Sequence, residues 1–178
     1  MTDIQEHWRG RFIRLLQDGR WEYVSRINST GITGIIAVTD DDCILLNEQY
    51  RPPVQRHVIE LPAGLAGDIP GEEHESLEVC ARRELFEETG YEADRMELVF
   101  HGVPSAGIVD EYVHFFKASG LRQTGSGGGD ESEDILVHKV PLTDVHAWLA
   151  SCQARGCWID LKVYSGLYFA GAPLPVAD

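Results

Sequence analysis

Basic residues are scarce in this chain. Lysine and arginine together number 15 against 29 aspartates and glutamates, leaving a formal net charge of −14 at neutral pH. Long-range repulsion from such an acidic surface counts against nonspecific binding to nucleic acid or to an anionic membrane. Long apolar runs are missing too, and none approaches the ~20 residues that a bilayer crossing takes. The opening stretch, MTDIQEHWRGRF, is polar and lacks the apolar core of a signal peptide, so a cytoplasmic address is expected. Only four cysteines occur (Cys43, Cys80, Cys152 and Cys157), with no CxxC pair. Reduced thiols are expected rather than a disulfide framework. Neither an internal repeat nor a clean linker divides the 178 residues, a length that suits one domain spanning 1–178.

What is present is ordinary globular material, 43% hydrophobic, enough to bury a core. Residues 11–28 read as a β-hairpin around Asp18-Gly19. Buried or half-buried strands are expected at 31–38, 43–51, 57–64, 96–103, 111–119 and 135–140, with an acidic turn at Asp40–Asp42. The stretch 65–74, with Gly67, Pro70 and Gly71, reads as a turn-rich loop. The clearest helix covers 75–89, strong helix formers closed by Gly90 as a left-handed cap. Two more helices are expected in LTDVHAWLASCQA and DLKVYSGLYFA, and the mixed order gives an α+β class.

On helix 75–89, Glu84, Glu87 and Glu88 fall within an arc of about 100°. Like charges three and four residues apart repel, so a bland solvated acidic face competes with a reading in which Arg83 or a hard divalent cation compensates them. Leu77, Ala81 and Leu85 make one apolar row, while Val79 and Phe86 lie on another side, so a helix packed on both flanks is expected.

The string RELFEETGY (83–91) resembles the tail of the Nudix hydrolase signature. Glu75 stands where that family places its first glutamate, and Gly64 in ELPAG resembles the glycine that opens the box, which would span about 64–91. One departure is plain. Ten residues, 65–74, separate Gly64 from Glu75 where the family leaves about five, so the loop LAGDIPGEEH carries an insertion. NEQYRPP, IELPAG, PSAGIVDEY and DESEDILVHKV further resemble the branch acting on ADP-ribose and nucleoside diphosphate sugars. The resemblance implies an α/β/α sandwich, a mixed sheet between helices. It also implies an N-terminal β-segment, residues 1–28, used in a homodimer.

That resemblance implies Mg²⁺, with Mn²⁺ as a possible substitute, bound by Glu84 and Glu88. Glu87 would assist, the Ala63 carbonyl would complete the cluster, and Glu133 would add a further ligand. Arg83 would orient the glutamates by ion pairing, and Glu75 would buttress the helix start. Independently of any family, a diphosphate is repelled by this protein's own field, and divalent cations would offset both sets of charges. The branch places a general base on a mobile loop beyond the box, matching Glu131 in DESED, with Glu133 and Glu111 as alternatives. The preceding run Gly125–Gly129 would give that loop freedom to close, although a merely solvated acidic loop is the competing reading. Arg51 in EQYR matches a substrate-binding arginine, with Arg56 a weaker second, and surface ion pairing is the alternative for both. Trp21 or Tyr23 would stack on a base or simply pack.

The expected activity is hydrolysis of the diphosphate of ADP-ribose or a related nucleotide sugar, giving a nucleoside monophosphate and a sugar phosphate. Ser105-Ala106-Gly107 replaces the Ser-Pro-Gly common in ADP-ribose hydrolases, which keeps UDP- and GDP-sugars in contention. The alternatives are a Nudix hydrolase of another nucleoside di- or triphosphate derivative, or an inactive Nudix-fold sensor.

Overall fold

The computed structural model describes residues 4–129 and 133–173. In chain order the elements are β1 (Gln5–Arg9), β2 (Ile13–Asp18), β3 (Trp21–Arg26), β4 (Gly31–Ala37), β5 (Cys43–Arg51), β6 (Arg56–Glu60) and β7 (Ala63–Ala66). They continue with α1 (Leu77–Thr89), β8 (Tyr91–Gly102), β9 (Val113–Gln123), β10 (Leu136–Pro141), α2 (Val145–Ala154), β11 (Trp158–Ile159) and α3 (Leu161–Ala170).

β1, β2 and β3 make an antiparallel sheet of their own. Asp18 pairs with Trp21 across a tight turn whose first central residue, Gly19, takes φ 57°, a conformation that glycine adopts without strain. β1 was not anticipated, because QEHWR is exposed throughout and shows no alternation to read.

Two four-stranded sheets carry the rest, in the orders β7-β4-β9-β8 and β10-β5-β6-β11. Within these two sheets, among the described residues, β4 with β9 and β6 with β11 pair in parallel and the other pairs are antiparallel. Alternation along the strands explains the layering. Ile35 and Ala37 of β4 and Leu45 of β5 join Ala81 and Leu85 of α1 in one core, whereas Ile36, Ile44 and Leu46 join Val145, Leu149, Val163 and Leu167 of α2 and α3 in the other. A strand buried on both faces is apolar at successive positions, which is why GITGIIAV and CILL read as continuous runs. The result is the expected α/β/α sandwich in the α+β class.

Two expectations are corrected here. HVIELPAG is not one strand: β6 ends at Glu60, Leu61 and Pro62 cross over, and β7 begins at Ala63 in the other sheet. Pro62 has no N–H for a ladder, and its carbonyl instead accepts from Ile35 N at 2.7 Å. The helix does not bury two flanks either, since Val79 and Phe86 are exposed, although the Phe86 ring lies near Gly125. The burial of α1 falls on Cys80, Ala81, Leu85, Glu88 and Thr89.

Candidate active site

α1 starts where Ser76, in extended conformation, accepts the Val79 N–H, and it stops at Gly90, whose φ is 76°. Between these caps the helix holds its carboxylates against the crossover from β6 to β7. The carboxylate of Glu88 is buried, and its Oε2 accepts from Ala63 N and from Asn47 Nδ2, both at 2.9 Å. Burial pushes its pKa up to about 9, with the charges of Glu84, Glu133 and Glu60 adding to the rise and the Ala63 N–H opposing it. Glu84 is pushed up to about 7, again chiefly by burial, against the pull of Arg83. Gly64 is needed beside it: a Cβ there would stand 1.9 Å from the Glu84 carboxyl carbon.

Arg83 gathers the acidic groups outside this pair. Its guanidinium donates to Glu75 at 3.0 and 3.1 Å, to Glu84 at 2.9 Å and to Glu87 at 3.0 Å. Arg83 thus forms ion pairs with Glu75, Glu84 and Glu87. Among the described residues, no three Asp, Glu, His or Cys side chains are gathered so as to hold a metal ion. Glu84 and Glu87 both turn an oxygen to Arg83 instead.

Glu84 and Glu88 open on a cleft of about 400 Å³ whose lining also includes Ala63, Arg51, Glu60, Glu111 and Glu133. Arg51 Nε donates to Glu60 Oε2 at 2.8 Å, so the arginine stands at the cleft edge already oriented by a buried acid. Glu111, an alternative base, accepts from Arg26 Nε at 2.7 Å. Three expected residues, Arg83, Glu87 and Arg56, fall outside the lining. Glu87 is exposed and held by Arg83, and Arg56 is exposed at the start of β6, bonded to the Gln55 carbonyl.

The glycine run departs from expectation in a useful way. It is not a free hinge but lies against the end of α1, with Gly128 N donating to Glu88 O at 2.8 Å and Gly129 N to Glu87 O at 3.1 Å. Gly127, Gly128 and Gly129 take φ of 64°, 109° and 83°, and a Cβ on Gly127 would stand 2.5 Å from the Thr89 carbonyl carbon. Glycine is required there by close approach and handedness. Glu133 follows this cap and lines the cleft, whereas Glu131 lies outside the described residues.

Sequence reasoning missed Asn47 and Glu60, and also Arg26 and Lys162, which line the same cleft. Asn47 and Glu60 are buried and face each other across β5 and β6. A lone polar residue inside the apolar run CILLN was the available signal for Asn47.

A model of the NUDIX domain matches residues 30–155. A methanol dehydrogenase activator of Bacillus methanolicus is 33% identical over 145 residues, covering 78% of this chain and 75% of that protein. An ADP-ribose pyrophosphatase of Bacillus subtilis (strain 168) is 35% identical over 130 residues, covering 72% and 68%. A GDP-mannose pyrophosphatase of Citrobacter koseri is 38% identical over 133 residues, covering 70% and 66%. Among solved structures, one described as an ADP compounds hydrolase superposes with a TM-score of 0.62 at 20% identity, covering 82% of this chain and 80% of its own. That likeness is one of fold.

Proposed function

The chain belongs to the Nudix hydrolase family, and from that premise we propose that it hydrolyses the diphosphate bond of ADP-ribose or a related nucleoside diphosphate sugar, using Mg²⁺ or Mn²⁺. The products would be a nucleoside monophosphate and a sugar phosphate. One observation carries the reading: two neighbouring carboxylates, half-buried Glu84 and buried Glu88, are both held above the ordinary carboxylate range in a cleft edged by Arg51. Two such acids fit a divalent cation, because a positive charge between them removes the penalty of ionising both.

In this reading Glu84 and Glu88 hold the metal with the Ala63 carbonyl, supplemented by Glu87 and Glu133. The chemistry supplied by such a cation is neutralisation of the diphosphate, polarisation of phosphorus and acidification of a bound water. Glu88 is fixed by Asn47 and the Ala63 N–H, so its free oxygen is the one available to a ligand. Arg83 acts as a positioning residue through Glu75, Glu84 and Glu87. Arg51 receives phosphate oxygens with the part of its fork not given to Glu60. Arg56 remains a second, outlying candidate for that contact. Glu131 would accept the proton of the attacking water, with Glu133 and Glu111 as alternatives, and Glu111 would first have to be released from Arg26.

We further take 1–178 as one domain working in the cytoplasm as a homodimer. The exposed Trp8, Phe12 and Trp21 of the N-terminal sheet support that association. Similarity to the methanol dehydrogenase activator supports a second reading, in which this chain activates another enzyme.

The test is product analysis with Mg²⁺ across ADP-ribose, UDP-glucose, GDP-mannose and nucleoside triphosphates, beside Glu88→Gln. AMP and ribose 5-phosphate from ADP-ribose, lost in the variant, is the expected outcome. Turnover confined to another nucleotide sugar moves the substrate and keeps the mechanism. Nucleotide binding with no turnover on any substrate would sink the hydrolase assignment.

A further inference from the structure

The active-site cleft borders a second hollow of about 480 Å³, which shares Arg51, Glu60, Pro104 and Lys162 with it. The rest of that hollow is largely apolar, with Pro53, Val54, Val58, Trp158 and Leu161 in its lining. A larger neighbour of about 660 Å³ shares Arg26 and Asp68 with the cleft and adds the charged Arg9, Arg14 and Glu73. One border of the cleft is thus apolar and another charged.

Strand register explains why an indole stands in line with the cleft. Asn47 pairs with Glu60, Gln49 with Val58 and Arg51 with Arg56 across β5 and β6, and Val58 pairs with Trp158 across β6 and β11. Paired residues point to the same side of a sheet, as do alternate residues along one strand. Asn47, Glu60, Arg51, Val58 and Trp158 therefore share one face. The intervening Ile59 and Ile159 turn to the other, where they join the core of α2 and α3. α1 packs on the shared face at Leu45. Farther out Val58 is still buried, but Trp158, on the edge strand, is 55% exposed.

The walls of this hollow are ordered by their own backbone. Val54 N and Gln55 N both donate to Arg51 O, at 3.1 and 2.9 Å, which closes the turn carrying Pro53 and Val54. Asp160 N donates to Ile59 O at 2.9 Å, and the Asp160 carboxylate accepts Lys162 N at 2.7 Å, which sets the start of α3 and Leu161. An exposed indole on so fixed a support, with an arginine of the cleft on the same sheet face, suits a flat ring that carries a phosphate.

We propose that this hollow is the subsite for the nucleobase of the substrate, which stacks on Trp158 while Arg51 holds the adjoining phosphate. The inference deepens the hydrolase reading and rests on it for the position of the diphosphate. It also gives the substrate a direction: the base lies toward β11 and the sugar toward Arg26 and Asp68, whose groups suit hydroxyls. Trp21 and Tyr23, the other aromatic candidates, line a separate hollow of about 390 Å³ that shares none of its described lining residues with the cleft. A purine, with the larger ring face, is the favoured base.

The test is titration of AMP with Mg²⁺ into the native chain, Trp158→Phe and Trp158→Ala, followed by calorimetry and by tryptophan fluorescence. Ribose 5-phosphate serves as the probe without a base. Saturable AMP binding that quenches the native fluorescence is expected. Trp158→Phe should keep most of the affinity and lose most of the quenching, since Trp8, Trp21 and Trp148 remain as background. Trp158→Ala should weaken AMP at least about fivefold and leave ribose 5-phosphate unaffected. If the alanine variant fails to fold, the fluorescence of the phenylalanine variant decides. Absence of AMP binding, quenching that persists in Trp158→Phe, or undiminished AMP affinity in Trp158→Ala overturns the subsite. In turnover of the preferred nucleotide sugar, Trp158→Ala should raise KM at least about fivefold and by more than it lowers kcat. A fall in kcat at unchanged KM overturns the subsite as well. The two readings fail separately. AMP binding that depends on Trp158, with no turnover of any nucleotide sugar, keeps the base subsite and overturns the hydrolase reading, whereas turnover with KM indifferent to Trp158 does the reverse.

Discussion

At Glu88 a carboxylate sits where water scarcely reaches it, between a strand amide, an asparagine and a second acid. Replacing it with glutamine removes a charge the fold disfavours and the ligand the proposed chemistry needs, so the two consequences run in opposite directions. Glu88→Gln should lower kcat by at least about 100-fold, as loss of a metal-site contact does, while the metal-free protein melts at the same temperature or higher. A variant that loses activity by unfolding would contradict this account. Gly64 makes the complementary case. An alanine there would drive its Cβ to 1.9 Å from the Glu84 carboxyl carbon. Gly64→Ala should therefore displace Glu84 and weaken Mg²⁺ activation at least about tenfold, with an overpacking cost of about 1–3 kcal/mol. Magnesium titration of activity alongside a melting curve checks both parts.

Among the elements, β5, β10 and the end of α2 meet at Glu48. Its buried carboxylate accepts from Arg155 at 2.7 and 3.1 Å and contacts His138 at 2.9 Å. Arg155 chiefly, then His138, hold its pKa down to about 2 from 4.5. A lowered native pKa means stability that is complete above about pH 4.5 and lost as pH falls toward 2. With Arg155 half exposed, that contribution is about 2 kcal/mol after discounting for solvent. Acid unfolding of the native protein should show this limb, and Glu48→Gln should flatten it. At the other helix end, Gly127→Ala would set a Cβ 2.5 Å from the Thr89 carbonyl carbon at a φ of 64°. It should destabilise by about 1–3 kcal/mol and lower activity, since the segment leading to Glu131 and Glu133 would leave its anchorage on α1.

Legibility varied with how local the determinant was. The α1 carboxylates, Arg83, the Gly90 cap and Gly64 are legible from spacing along one helix and one turn. Asn47 and Glu60 depend on pairing between β5 and β6, a relation no short string displays. The glycine run was misread because glycine serves freedom and close approach equally well, and only the neighbouring carbonyls of Glu87 and Glu88 distinguish the two. Val79 and Phe86 look like core residues by type, yet the helix faces its sheet with the Ala81 and Leu85 row.

For the whole molecule, the three-stranded N-terminal sheet leaves large apolar side chains in water. Trp8, Phe12 and Trp21 are 55, 63 and 57% exposed. If that surface joins two copies, sedimentation should give twice the 19.9 kDa chain mass, and Phe12→Asp with Trp21→Glu should shift the population to monomer. A native protein that sediments as a monomer at micromolar concentration would refute the homodimer.

The extended loop has a consequence for how such a sequence can change. Its two ends are fixed independently, one by the pairing of β7 with β4 and the other by Ser76 capping α1. Residues can be gained or lost between those anchors without altering the register of Gly64 against Glu84 or of Glu75 against Arg83. The segment still reaches the cleft through Asp68, so it is a graft point at which selection, or a designer, can reshape the cleft's edge while the α1 carboxylates keep their anchors.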